Sequence, residues 1–286
     1  MASSEMLQDE LVVEALSLSR AYLYTLFSKA LGGEPTEELM EILCSQAAQD
    51  AIDEYGSDDK TLNRYMVYIG QVKEKRLGDD GFLDSALSEY TRIFFSFDKG
   101  SAPLAESAYR SEDGGYFDET TLAVRKVYRG EGVLPAKYPR VPDDHISLEL
   151  GFMSIMAERS LEVLRRDNLV EFASSMELQH SFLASHLSRW VQPFADKIRK
   201  GKTTVLYPQI AAAVAAFVDL DTVFTEQARS WALDERRIGV DGTEEPLADC
   251  EAVRALKDFN AELERCKQLS LPHLEDNTFK QLDQGA

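Results

Sequence analysis

The sequence predicts an all-α protein: a helical bundle with two long connecting loops and a C-terminal helical extension. Three observations favour this fold class. Apolar residues recur at three- and four-residue spacing over most of the chain. Gly and Pro cluster in two segments between these patterns. No run of alternating β-branched residues bounded by turn residues predicts a sheet.

The first helix is predicted over residues 5–31, where Leu11, Leu18 and Leu26 recur at helical spacing, and Gly32-Gly33 supplies a stop. Pro35-Thr36-Glu37-Glu38 is typical of a helix start. Further helical patterns cover about 59–76, 81–96, 118–129, 144–166, 168–199, 205–232 and 247–269.

Two irregular stretches separate these helices. Residues 98–115 contain two glycines side by side at 114–115, and residues 130–144 contain Pro135, Pro139 and Pro142. Long structureless segments in compact domains are often functional. The composition also changes after residue 232, so we expect one helical domain over 1–232 and an extension of one helix and a polar tail over 233–286.

Charge and cysteine content limit the function classes. The chain has 31 Lys and Arg against 50 Asp and Glu, a formal net charge of −19, which disfavours nucleic acid and anionic membranes and favours a basic peptide. Cys44, Cys250 and Cys266 lack the spacing of a disulfide framework or a thiolate metal site. No signal-peptide pattern or apolar stretch long enough to span a bilayer is recognisable, so we expect a cytoplasmic protein.

The segment Pro142-Asp143-Asp144-His145 stands before an apolar helix and has two interpretations. An aspartate at this position caps a helix. Two carboxylates beside an imidazole can also bind an arginine or amine of a partner. His145 and Glu149 are four residues apart and therefore share a helix face.

A metal-dependent enzyme is the alternative from another class. Glu177 and His180 have the Glu-x-x-His spacing of carboxylate-bridged di-iron bundles, but such sites need two copies and two more glutamates, and this chain has one copy. The common nucleophile, dinucleotide and zinc-protease motifs are absent. We therefore expect a protein that is not an enzyme and holds no metal or resident cofactor.

Three motifs taken in order carry a family resemblance. They are Glu89-Tyr90 with Phe94, then Pro103 with Glu106-Ser107-x-Tyr109, then Pro142-x-Asp144-His145 followed by Glu149-Leu150-x-Phe152-Met153. His186-Leu187-x-x-Trp190-x-x-x-Phe194 follows later. Over about residues 8–225 the chain resembles the TorD/DmsD/NarJ family of redox-enzyme maturation chaperones.

The resemblance implies a helical-bundle chaperone that binds the twin-arginine signal peptide, or the apo form, of a molybdenum-cofactor oxidoreductase and assists cofactor insertion before export. A NarJ-like chaperone for a molybdoenzyme subunit without such a leader remains an alternative, and transient binding of a nucleotide or the molybdenum cofactor stays open. The implied client-binding residues are Asp144, His145, Glu149, Asp143, Glu106, Ser107, Tyr109, Leu104, Tyr90 and Phe94. Within this set, Asp143 is the better candidate for the helix cap, which leaves Asp144 and His145 as the functional pair.

Overall fold

A computed structural model describes residues 10–76, 78, 81–96, 101–110, 119–136, 141–201, 204–234, 251–270 and 278–282. The described helices are α1 (Glu10–Gly32), α2 (Glu37–Leu43), α3 (Gln46–Gly56), α4 (Lys60–Arg76), α5 (Phe82–Phe95), α6 (Ser107–Arg110), α7 (Glu119–Gly130), α8 (Ile146–Leu164), α9 (Leu169–Ser185), α10 (Leu187–Arg199), α11 (Tyr207–Ala232) and α12 (Glu251–Gln268). Two short strands are β1 (Val133–Pro135) and β2 (Phe279–Gln281). The predicted all-α fold class is confirmed.

The bundle is built around α1, which is buried over most of its length and packs against α8. A helix that is apolar on nearly all sides needs neighbours on all sides. α3, α11 and α12 supply further contacts, and α9 and α10 complete the bundle against α11. The resulting core includes Tyr22, Phe27, Phe152 and Trp190, all fully buried.

A buried polar hub joins three of these helices. Arg20 of α1 donates from Nε and Nη2 to the two carboxylate oxygens of Asp221 on α11, both at 2.7 Å, and from Nη1 to Gln179 Oε1 of α9 at 2.7 Å. Burial lowers the pKa of Arg20, but the adjacent Asp221 carboxylate outweighs it and holds the pKa above its ordinary value. Removing one partner would leave an uncompensated buried charge, at a cost of about 3–5 kcal/mol.

Side-chain caps explain the helix starts near the N-terminus. Thr36 accepts from the Leu39 N–H at 3.1 Å and begins α2, as the sequence predicts. Ser45 accepts from the Ala48 N–H at 3.1 Å and begins α3, which the sequence pattern did not separate from α2.

The prediction of one helix over 168–199 is wrong. The chain breaks at His186, whose φ of −123° and ψ of −94° are not helical, so α9 and α10 are separate helices. Apolar periodicity continues across the break because both helices bury a face in the same core. The break places the His186 side chain beside the segment before α8, as described below.

Strand signals are almost absent from the sequence, and the structure adds one small sheet to the helices. β1 pairs antiparallel with β2, with Val133 opposite Gln281 and Pro135 opposite Phe279. Three-residue strands are too short to show the alternation by which strands are recognised. β1 lies inside the predicted loop 130–144, and β2 belongs to the predicted polar tail.

Part of the C-terminal extension packs on the bundle. Lys29 of α1 donates to the carbonyl oxygens of Lys267 and Leu269 at 2.9 and 2.8 Å, at the C-terminal end of α12. Phe259 of α12 lies 5.2 Å from the ring of Tyr22, centroid to centroid. The division at residues 232/233 stays a prediction, since residues 235–250 lie outside the described part of the chain.

Among the described helices, α11 alone has the length and composition to cross a membrane. Its most apolar window is 61% buried inside the protein, and its Asp221 is held in the polar hub. Core packing accounts for its apolar character.

Candidate functional site

The candidate site lies where the loop of residues 101–110 meets the start of α8. The Ile146 N–H donates to the Leu104 carbonyl at 2.7 Å, and the Glu106 N–H donates to the Asp144 carbonyl at 2.9 Å. Ala105 and His145 form an isolated antiparallel bridge between these two bonds. The two motifs of the family resemblance, far apart in sequence, are therefore joined backbone to backbone.

Asp144 fastens this junction with its side chain. Its Oδ2 accepts from the Ser107 N–H at 2.8 Å, and its Oδ1 accepts from the Thr121 hydroxyl at 3.0 Å. The side chain is fully buried. One carboxylate thus ties the start of α6 and the first turn of α7 to the segment before α8.

Asp143 holds the same face of α7 one to two turns further along the helix. Arg125 donates to Asp143 Oδ2 from Nε at 3.0 Å and from Nη2 at 2.7 Å. The Tyr128 hydroxyl donates to the Asp143 backbone carbonyl at 3.0 Å. The prediction that Asp143 caps α8 is wrong, because its carboxylate turns to Arg125 and the capping position belongs to His145.

His145 is the N-cap of α8. Its Nδ1 accepts from the Ser147 N–H at 3.3 Å and lies 2.8 Å from the Ser147 hydroxyl. Partial burial lowers the pKa of His145 to about 4, so the imidazole is neutral at physiological pH. A neutral ring can accept these bonds, whereas a protonated one cannot. Histidine is an unusual cap, which is why the sequence pointed to the aspartates.

Glu106 carries two partners of its own. Arg110, one helical turn later, donates from Nη1 to Glu106 Oε1, and also to the Ser185 carbonyl at 2.8 Å. His186 Nδ1 lies 2.9 Å from Glu106 Oε2. The Arg110 side chain is 37% exposed while that of Glu106 is fully buried, so the guanidinium covers the carboxylate.

Glu149 lies deeper, one turn into α8. Trp190 Nε1 donates to its Oε2 at 3.2 Å, while its buried Oε1 has no donor among the described residues. Burial, followed by the negative charge of Glu106, raises the pKa of Glu149 well above its ordinary value. Burial and the neighbouring negative charge both disfavour the ionised form, so Glu149 stays protonated to higher pH than an exposed glutamate.

The aromatic members of the predicted site divide into two groups. Tyr109 donates to the Pro103 carbonyl at 2.9 Å, and its ring lies 5.3 Å from that of Trp190. Tyr90 and Phe94 pack on Tyr207, at 5.2 and 5.3 Å. Phe194 links the groups, 6.1 Å from Tyr109 and 6.3 Å from Phe94.

These contacts show that the aromatic residues pack into the core and do not form an open surface. Tyr90 is 5% exposed, and Phe94, Leu104 and Tyr109 are partly buried against the core. Ser107 is fully buried, and its hydroxyl has no hydrogen-bond partner in the part of the chain that the structure describes.

Sequence reasoning gave no role to Glu89, although it stands in the first motif. Its buried carboxylate accepts from the backbone N–H groups of Val205, Leu206 and Tyr207 at 2.8, 2.6 and 2.9 Å. It therefore caps α11 from another helix. The signal was present, because α11 starts at Leu206-Tyr207-Pro208 without a Ser, Thr, Asp or Asn to cap it.

The alternative metal site does not assemble. Glu177 forms an ion pair with Arg229 at 2.5 Å, and His180 Nδ1 lies 3.1 Å from the Thr222 carbonyl. Within the described ranges, no three His, Cys, Asp or Glu side chains are grouped so that they could hold a metal ion.

An open cleft of about 700 Å³ adjoins the junction. Its described lining includes Arg110, Glu119, Lys126 and His186, from α6, α7 and the break between α9 and α10. Arg110 and His186 are the two residues bonded to Glu106. The Glu106 carboxylate therefore lies directly behind these two side chains, which stand between it and the cleft.

In the described part of the chain, buried carboxylates fasten a loop to a helix start beside an open cleft, an arrangement that suits a binding protein. The family model described as nitrate reductase delta subunit matches residues 53–196, just over half of the chain. The chain therefore belongs to this family, and the resemblance recognised in the sequence is confirmed.

Relatives of known name agree. The chaperone protein TorD of Vibrio parahaemolyticus is 25% identical over 213 residues, which are 74% of this chain and 97% of the relative. That of Vibrio atlanticus is 22% identical over 211 residues, 74% of this chain and 96% of the relative. These names confirm the prediction of a chaperone that is not an enzyme.

One solved structure is also similar, a protein of Archaeoglobus fulgidus described with a proposed role in redox enzyme maturation. It is 21% identical, covers 73% of this chain and 93% of its own, and superposes with a TM-score of 0.39.

Proposed function

We propose that this chain is a cytoplasmic chaperone that binds the twin-arginine signal peptide, or the apo form, of a molybdenum-cofactor oxidoreductase and assists cofactor insertion before export. One observation carries the proposal. The stretch matched by the family model, 53–196, contains every predicted client-binding residue from Tyr90 to Glu149. We also propose that residues 1–232 form the client-binding domain and that 233–286 are an extension of it.

Within the site, the acids have different roles. Asp144 is fully buried and bonded on both oxygens, so it acts by holding residues 101–110 in place. Asp143 and Glu149 are likewise internal. A client arginine reaches Glu106 most directly, because Arg110 already shows that this carboxylate accepts a guanidinium at the edge of the cleft.

In this mechanism Arg110 is a placeholder. It covers Glu106 in the free chaperone, and a client arginine takes its position when the leader binds. The exchange of one guanidinium for another keeps the buried carboxylate paired throughout. The chain's net charge of −19 adds a long-range attraction for a cationic leader.

The experiment is a calorimetric titration of the purified chain with a synthetic twin-arginine leader and with the same leader carrying two glutamines in place of the arginines. We expect binding of the first in the range of about 1 μM, near −8 kcal/mol, as suits reversible capture. Equal affinity for both peptides, or binding of neither, would contradict the proposal.

A NarJ-like role, with a molybdoenzyme subunit that lacks such a leader as client, has the family name itself in its favour. Co-purification of the tagged chain from its own host, followed by sequencing of the captured subunit's N-terminus, separates the two. A captured subunit that begins without paired arginines would favour the NarJ-like role.

A further inference from the structure

The edge of β1 is occupied by the chain's own C-terminal segment, residues 278–282. Beyond the register pairs, the Ala136 N–H donates to the Thr278 carbonyl at 2.6 Å, and the Leu282 N–H donates to the Gly132 carbonyl at 2.7 Å. Backbone bonds of this kind accept an extended segment with little regard to its side chains.

One side chain of the segment fills a prepared position. The Phe279 ring lies 5.1 Å from that of Tyr128 in an edge-on arrangement. Beneath it is Gly151 of α8, where an added Cβ would lie 3.4 Å from Phe279 Cε2 and 3.2 Å from the Ser28 hydroxyl. The ring therefore packs closely over the backbone of α8 at Gly151.

The side chains of the rest of the segment are exposed, and one of them, Gln281, accepts a hydrogen bond from Arg159 at 3.1 Å. Lys280, Gln281 and Leu282 are exposed, and Phe279 is only partly buried. A two-stranded ribbon of this length has marginal stability by itself. Its occupancy therefore depends on the covalent connection to the same chain, which raises the effective concentration of the segment at β1.

The Phe279 position is also connected to the candidate site through Tyr128. Tyr128, against which Phe279 packs, donates its hydroxyl to the carbonyl of Asp143, next to Asp144 and His145. The same ring packs on Phe152 and Phe182 at 4.8 and 6.2 Å. A segment paired with β1 thus contacts Tyr128, which is hydrogen-bonded to the segment before α8.

We propose that β1 is a strand-addition site for an extended peptide bearing a large apolar side chain, and that residues 278–282 occupy it as a built-in competitor. The partner is the apolar, extended part of the client, so this inference rests on the proposed function. The client's arginines would then lie at Glu106 and its apolar part at Tyr128.

The first test uses a labelled synthetic peptide with the sequence of residues 276–284 and full-length protein variants. Phe279→Ala weakens the internal occupant, so we expect this variant to bind the peptide about tenfold more tightly than the wild type, the effect of losing one aromatic contact. Lys280→Ala is the matched control, because it changes the exposed neighbour on the same strand, and it should bind like the wild type. Equal binding by all three proteins would overturn the proposal.

A disulfide lock supplies the second test and does not depend on the first variant. Val133 and Gln281 are opposite each other between the hydrogen-bonded pairs, a position where Cα atoms are about 4.5 Å apart and a disulfide can form. Oxidised Val133→Cys/Gln281→Cys should bind neither the peptide nor the leader, reduction should restore both, and the single variant Val133→Cys should be insensitive to oxidation. Undiminished peptide binding by the oxidised form would overturn the proposal.

The leader is measured alongside the peptide so that the two proposals fail separately. Leader binding that is equal in wild type, Phe279→Ala and locked protein would overturn the strand-addition site and leave the proposed function intact. Peptide binding that follows the predicted order while no leader binds would support the site and contradict the twin-arginine function. A dimer in sedimentation, formed by exchange of residues 278–282 between copies, would overturn the intramolecular competitor.

Discussion

The carboxylate of Asp144 accepts the backbone N–H of Ser107 at 2.8 Å across 37 residues of sequence. Its other oxygen accepts the hydroxyl of Thr121. Residues 101–106 have little regular structure of their own, and this side chain, together with the backbone bond from Glu106 to Asp144, sets where α6 begins. The conformation of the loop therefore depends on an acid that itself stays in the interior.

Asp144→Asn tests this dependence. The amide keeps the size of the carboxylate but loses its charge, so the bond from the Ser107 N–H is weakened, and the Thr121 hydroxyl must accept a hydrogen bond where it now donates one. We expect the free energy of unfolding to fall by about 1–3 kcal/mol and the Ser107 amide to exchange faster with solvent. Urea denaturation and amide hydrogen exchange measure the two effects.

Asp84→Asn on the exposed face of α5 is the matched control. It should leave both quantities unchanged, since surface substitutions of this kind are usually within about 0.5 kcal/mol. An Asp144→Asn protein with wild-type stability and wild-type exchange at Ser107 would show that Asp144 does not hold the loop.

The raised pKa of Glu149 predicts a dependence on pH. A carboxyl whose pKa is higher in the folded chain than its ordinary 4.5 stabilises the folded state because folding favours its protonated form. This stabilisation is fully present below pH 4.5 and is lost as the pH rises through the raised pKa. Glu149→Gln removes the titration and keeps an oxygen for the Trp190 N–H. At pH 8 the variant should be more stable than the wild type, and near pH 4 the difference should vanish.

Chemical denaturation at the two pH values checks this, with the exposed Glu41→Gln as control. A Glu149→Gln protein that is less stable than the wild type at pH 8 would mean that the native state needs the ionised carboxylate.

Glu89→Gln tests the cap of α11. In the wild type the Glu89 carboxylate accepts from three backbone N–H groups. The neutral amide offers those groups one acceptor oxygen instead of two, and it loses the favourable interaction with the helix dipole. We expect a loss of about 1.5–3 kcal/mol in the free energy of unfolding, measured by urea denaturation. The same change at exposed Glu74 of α4 should cost less than about 0.5 kcal/mol, and equal costs at the two positions would contradict the assignment.

Arg110→Ala tests the placeholder role. Without this guanidinium a client arginine no longer has a competitor for Glu106, so affinity for a twin-arginine leader should rise on the order of tenfold, the effect of one charge-assisted hydrogen bond. Affinity for the leader with two glutamines should stay unchanged. A fall in affinity for the twin-arginine leader would show that Arg110 itself contacts the client.

The all-helical fold could be predicted because long segments keep apolar residues at helical spacing, as in α1, α4 and α8. The break at His186 could not, because α9 and α10 bury the same kind of face and no Gly or Pro marks the boundary. β1 and β2 were missed because three residues carry no period, and their pairing joins parts of the chain far apart in sequence.

For the site, the spacing of motifs predicted which residues meet but not how. The junction of Glu106 with Asp144 and His145 was expected as a cluster of acids open to a client. Sequence alone gives no burial for individual carboxylates, so it did not show that Asp144 bonds a loop N–H or that Arg110 covers Glu106. The His145 cap was missed because the two preceding aspartates are the commoner capping residues.

The most direct test of the chaperone account is amide hydrogen exchange of the full chain with and without a saturating twin-arginine leader. We expect slower exchange in residues 104–110 and at the start of α7, beside Glu106, with further changes only around β1 and Tyr128, where the apolar part of the client would bind. Slower exchange confined to other helices, or none at a concentration where calorimetry shows binding, would contradict the placement of the client at this junction.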